Sequence, residues 1–95
     1  VPRLGWLEAQ MADTVPKHFI GLAHVPPFDG DFDPALELPY AEQLASDERM
    51  LLALYGHRGS HSDGFPYNDH VRYMVCNAMY WPVFTVLKIE YDYTR

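Results

Sequence analysis

Two histidines close two apolar runs. His24 lies near the end of the run 17–25, and His57 directly follows the run 50–56. His61 stands four residues beyond His57. A neutral imidazole offers a nitrogen lone pair to a transition metal such as Zn, Mn or Fe. If the two runs are the strands of one βαβ unit, they point the same way. His24 and His57 then share the carboxyl edge of the sheet, where open α/β sheets hold their ligands. With His61 as a third ligand, the fourth position would stay open, as a catalytic metal centre needs. The plainer alternative is two unrelated polar residues at strand ends and a solvated loop histidine. His18 and His70 fall at strand starts and read as structural.

Other constellations are thinner. Asp29-Gly30-Asp31-Phe32-Asp33 begins with the spacing of a calcium loop. Pro34 then takes the place of the required glycine, and Tyr40 stands where the bidentate glutamate belongs. An acidic turn, a conformation Asp tolerates well, accounts for the same residues. Ser60, His61 and Asp63 are too close in the chain to form a hydrolase triad, whose members converge from distant segments. Cys76 falls mid-strand and reads as core rather than nucleophile. There is no glycine-rich phosphate loop.

The elements that must position these residues emerge from periodicity and punctuation. Leu4, Leu7 and Met11 recur at helical spacing and predict an amphipathic helix over 4–13, ended by Pro16. The run 17–25 is nearly continuous apolar and too short for a typical helix. It reads as a strand buried on both faces, the habit of parallel sheets flanked by helices. Pro26-Pro27 stops it, and a loop comes next. Pro39 opens a second helix with Ala41, Leu44 and Ala45 inward. Residues 50–56 form the next buried strand, and 57–68 a polar loop. Strands at 70–78 and 83–91, joined by the short connection 79–82, predict an antiparallel pair. The order is α-β-α-β-β-β in one α/β domain, with a right-handed βαβ unit.

Composition sets the outer limits. The chain has 95 residues, 48% of them apolar and 15% aromatic, enough to bury a core. No apolar run approaches the roughly 18 residues of a membrane span. Seven basic residues against 13 acidic give a formal charge of −6, which argues against a general nucleic-acid binder. Val1-Pro2-Arg3 does not lead into the apolar stretch of a signal peptide. One cysteine cannot form an internal disulfide and fits a reducing compartment such as the cytoplasm.

Taken together, His24-Val25-Pro26-Pro27 after a strand resembles the His-x-Pro-Pro motif of calcineurin-like metallophosphoesterases. Gly56-His57 resembles the start of their late Gly-His-x-His motif. Trp6-Leu7-Glu8 resembles the helix that precedes the first motif, and the stretch from Val71 to Ile89 the strand pair that closes the second sheet. The resemblance implies half of a metallophosphoesterase sandwich, with His24 and His57 as metal ligands of a two-metal centre that hydrolyses phosphate esters. Gly59 stands where the second histidine of Gly-His-x-His belongs, and His61 would replace it through a two-residue shift. The family's N-terminal motifs, which supply the remaining ligands, have no counterpart ahead of the His-x-Pro-Pro strand.

The resemblance leaves two expectations. Either the chain is a C-terminal portion that needs the missing N-terminal half in cis or in trans, or it is a free-standing non-catalytic α+β protein. In the second case a homodimer would cover the apolar surface the missing half leaves bare. Tyr73, Tyr80, Trp81, Phe84 and Tyr91, all in the last two strands or their turn, suit such an interface. A small binding module with an acidic, aromatic lining and no metal is a further alternative.

Overall fold

A computed structural model of the chain describes residues 4–57 and 61–76. Its elements are α1 (Leu4–Met11), β1 (Phe19–Leu22), α2 (Glu37–Ala45), β2 (Met50–Tyr55), β3 (Ser62–Gly64) and β4 (Arg72–Val75). They build an α/β fold in the expected order α-β-α-β-β-β. The sheet runs β1-β2-β4-β3, with β1, β2 and β4 parallel and β3 antiparallel to β4. β1, α2 and β2 make the βαβ unit. No helix among the described residues is long and apolar enough to cross a membrane.

Several boundaries differ from the sequence reading for local reasons. α2 begins at Glu37, two residues ahead of Pro39. The first-turn N–H groups of a helix have no intrahelical acceptor, so proline fits at its third position as well as its first. The segment 57–68 is not all loop: β3 lies within it, and its Ser62, Asp63 and Gly64 pair with Val75, Met74 and Tyr73. Three polar residues carry no alternating apolar signal. What holds them is the cross-strand pair of Arg72 and Asp63, whose two hydrogen bonds measure 2.7 and 2.5 Å. The described antiparallel pair is therefore β3 with β4; the proposed partner strand at 83–91 lies outside the described residues.

β1 is not buried on both faces. Ile20 and Leu22 are 42% and 78% exposed. The opposite face carries the core, which joins Met11, Tyr40 and Leu44 of the helices to Met50, Ala53, Tyr55, Tyr73 and Val75 of the sheet. Tyrosines dominate its middle. The Tyr55 and Tyr73 rings stack 5.8 Å apart, and the Tyr40 and Tyr55 hydroxyls share a buried hydrogen bond of 2.6 Å. Burial pushes both hydroxyls' pKa values upward, so they stay neutral partners.

Arg49 ties the amino edge of the sheet to α1. Its guanidinium donates to the backbone carbonyls of Met11 (2.9 Å), Asp13 (2.7 Å) and Pro16 (2.9 Å), satisfying acceptors at and beyond the helix end. It also lies 4.4 Å from the centre of the Phe19 ring and forks onto Asp47. Hydrogen bonds from the Arg49 side chain lower the Asp47 carboxyl to a pKa of about 2.

Two outcomes are expected. Leu44 is 1% exposed, and Leu44→Ala should cost about 2–5 kcal/mol in denaturant unfolding. The folded pKa of Asp47, about 2, lies below its ordinary 3.8, so its stabilisation is full above about pH 4 and is lost as pH falls through 2. Asp47→Asn should therefore lower the melting temperature most above pH 4, with the gap to wild type closing toward pH 2.

Candidate functional site

The parallel ladder between β1 and β2 continues past the end of β1. Ala23 N–H donates to the Leu54 carbonyl and Gly56 N–H to the His24 carbonyl, each at 3.0 Å. The chain ends carrying His24 and His57 are thus hydrogen-bonded neighbours at the carboxyl edge. A Cβ at Gly56 would stand 3.7 Å from His24 Nδ1, an ordinary van der Waals contact, so the two chain ends lie side by side without crowding. His57 then adopts φ 73°, a left-handed conformation rare for a residue with a side chain. That turn brings its ring against His24. The centroids are 4.9 Å apart at an interplanar angle of 80°, and His57 Nδ1 lies 3.2 Å from His24 Nε2.

The other face of His57 meets the loop after Pro26-Pro27. Both prolines are buried. Asp29 N–H donates to the Pro26 carbonyl, Phe32 N–H to the Asp29 carbonyl, and Asp31 N–H to Asp29 Oδ1 at 2.9 Å. Phe32 anchors the far side, buried with its ring 5.5 Å from that of Tyr40. This tight turn presents Asp31 Oδ2 to His57 Nε2 at 2.7 Å. A carboxylate only accepts, so Nε2 is the donor to Asp31, and in the neutral ring Nδ1 then turns its lone pair toward His24. Beside His24 and Asp31 opens a cavity of about 490 Å³, floored by Phe32 and Tyr40 and with Asp33 in its lining.

Metal-ligating atoms converge here in two ways. Asp29, Asp31 and His57 each offer one atom, all within 4.8 Å of one another. His24 and His57 offer the second pairing. Two imidazole nitrogens at 2.0–2.1 Å from one tetrahedral ion stand about 3.3 Å apart, close to the 3.2 Å between His24 Nε2 and His57 Nδ1.

Of the sequence-predicted ligands, His24 and His57 are brought together and His61 is not. His61 precedes β3, which is separated from β2 by β4, and among the described residues the ligating group around His57 does not include it. His70 lies at the amino edge with Nε2 3.0 Å from the Asp47 carbonyl. The spacing of Asp29, Asp31 and Asp33 folds as successive side-chain-capped turns, with Asp33 Oδ1 accepting from Ala35 N–H at 3.0 Å. The reach of Asp31 to His57 escaped the sequence reading, because nothing in the spacing of residues 31 and 57 links a loop carboxylate to a strand-end imidazole. Comparison with family models, with curated proteins and with solved structures finds no match to this chain.

The backbone of His57 gives a direct test. At φ 73° a Cβ is strained whereas glycine is not. His57→Ala should be less stable than His57→Gly by about 1 kcal/mol in chemical denaturation. Equal stabilities would show that residue 57 does not hold this conformation in solution.

Proposed function

We propose that the chain supplies half of a divalent transition-metal centre, with His24 and His57 as ligands to one ion of Zn, Mn or Fe. The separation of 3.2 Å between the two ring nitrogens carries this reading. The metal would polarise a phosphate ester and lower the pKa of a bound water, the chemistry of the metallophosphoesterases that the His-x-Pro-Pro and Gly-His motifs resemble. His24 and His57 would hold the ion, and the carboxylates of the 29–33 loop would raise the local cation concentration.

Two imidazoles do not complete a tetrahedral site. Among the described residues Asp29 and Asp31 gather with His57, but that group does not include His24, so it does not complete a site around the pair. Hydrolysis therefore needs ligands from a complementary half, in cis or in trans. A second reading, a non-catalytic protein that self-associates, is favoured by the exposure of Ile20 and Leu22 on β1, which among the described residues is an edge strand.

Elemental analysis of the purified chain after metal loading and dialysis decides between them. About one ion per chain is expected for wild type and for His61→Ala. His24→Ala and His57→Ala should each weaken binding by more than the roughly 10–100-fold that an outer partner costs. No turnover of an aryl phosphate or phosphodiester is expected from the chain alone. Metal-dependent turnover would sink the half-site reading, and a wild-type chain that retains no metal would leave self-association, measured by sedimentation equilibrium, as the function to pursue.

A further inference from the structure

We propose that Asp31 is the positioning residue of this site: it fixes the tautomer and ring orientation of His57 from the outside and is not itself a metal ligand. The proposal rests on the half-site reading above. Two distances separate the roles. An ion shared by His57 Nε2 and Asp31 Oδ2 would have to subtend an angle of about 80° to fit bonds of 2.0–2.2 Å into a 2.7 Å gap, far from tetrahedral. That gap is instead the length of a charge-assisted N–H···O bond. On the other side of the ring, the 3.2 Å contact with His24 is a hydrogen bond at the long end of the usual range in the metal-free chain, and the same spacing fits two nitrogens on one tetrahedral ion. His57 thus presents one nitrogen inward and gives the other to a carboxylate. This is the carboxylate–histidine–metal arrangement that orients a ligand ring and raises its basicity.

The loop is built to hold Asp31 in that role. Pro26 and Pro27 are buried under it, and Asp29 Oδ1 accepts from the Asp31 N–H at 2.9 Å. Phe32, the next residue, is packed into the core beside Tyr40. The Asp31 side chain itself is 73% exposed, so its removal leaves the core untouched. His57 gains most from such a brace because its backbone occupies a left-handed conformation that local sterics disfavour.

Two measurements on the full chain test the assignment. Long-range proton–nitrogen correlation spectra of the metal-free protein at about pH 8, above the ordinary imidazole range, report the tautomer of each histidine. Zinc titration against a competing chelator reports affinity. Wild type should show His57 protonated at Nε2. Asp31→Ala should mix the two His57 tautomers and weaken zinc about 10–100-fold. Asp31→Asn keeps a carbonyl acceptor, so it should retain the Nε2–H tautomer and lose less affinity. Asp33→Asn removes the same charge from the same loop without touching His57, and should change both readouts least.

Three results would overturn the proposal: an unchanged His57 tautomer in Asp31→Ala, a zinc loss in Asp33→Asn as large as in Asp31→Ala, or a loss in Asp31→Ala as complete as in His57→Ala. The last would make Asp31 a ligand. If wild type binds no zinc, the half-site reading fails by itself, and the tautomer spectra alone decide whether Asp31 positions His57.

Discussion

The hydrogen bonds from Ala23 N–H to the Leu54 carbonyl and from Gly56 N–H to the His24 carbonyl join the ends of two parallel strands, each at 3.0 Å. Residues 33 positions apart in the chain become neighbours through them. Parallel pairing places the residues just past the end of β1 beside those just past the end of β2. Had β1 and β2 paired antiparallel, His24 and His57 would stand at opposite edges of the sheet. The polar chemistry of this molecule is thus a product of strand direction, which in turn requires the α2 crossover. At the other end of the ladder, Phe19 N–H donates to the Arg49 carbonyl at 2.7 Å while the Arg49 side chain holds the end of α1. One residue therefore fixes the start of the ladder whose far end sets the histidine pair.

Behind the pair, the tyrosine layer carries the load between α2 and the sheet. The Tyr40–Tyr55 hydroxyl bond lets two phenols be buried without stranding either hydroxyl, a cost of about 1–3 kcal/mol otherwise. Tyr67 adds a second tie, donating to Glu37 of α2 at 2.7 Å. Tyr73 sits between them, its ring against Phe28, Tyr55 and Tyr67, and among the described residues its hydroxyl has no hydrogen-bond partner. The ring's packing, not its polar tip, holds it there. Because Tyr40 and Phe32 also floor the cavity beside His24, the same aromatic layer that secures the helix shapes the space next to the site.

The sequence was legible where one local rule sufficed. Leu4, Leu7 and Met11 announced α1, and the apolar run 50–56 announced β2. The prolines at 26 and 27 marked the end of β1's extension, which made the strand-end histidines visible as neighbours. It was opaque where a feature depends on a tertiary partner. β3 exists because Asp63 and Gly64 find β4, not because Ser-Asp-Gly favours a strand. The apolar run 17–25 looked two-sided, yet hydrophobicity does not reveal whether a second layer is present, and Leu22 faces solvent. Asp31 was read as part of a turn, which it is. That the turn also aims its carboxylate at His57 depends on Phe32 seating in the core, a packing event with no signature in the spacing.

Charge decides in what order such a site could fill. Asp29, Asp31 and Asp33 fall within five residues, and Asp31 lies against the pair itself. Around the histidine pair these carboxylates make a field that draws cations and repels anions. The Asp31 carboxylate is hydrogen-bonded to His57 Nε2, so on the proposed assignment it would strengthen the imidazole as a donor without neutralising an arriving ion by direct contact. An ion held by His24 and His57 would keep most of its positive charge and reverse the local sign, and only then would an anionic ester be attracted. On the proposed reading, the −6 charge of the chain would reinforce that order, metal before ester, and the cavity beside His24 would be open to the uncharged part of such an ester.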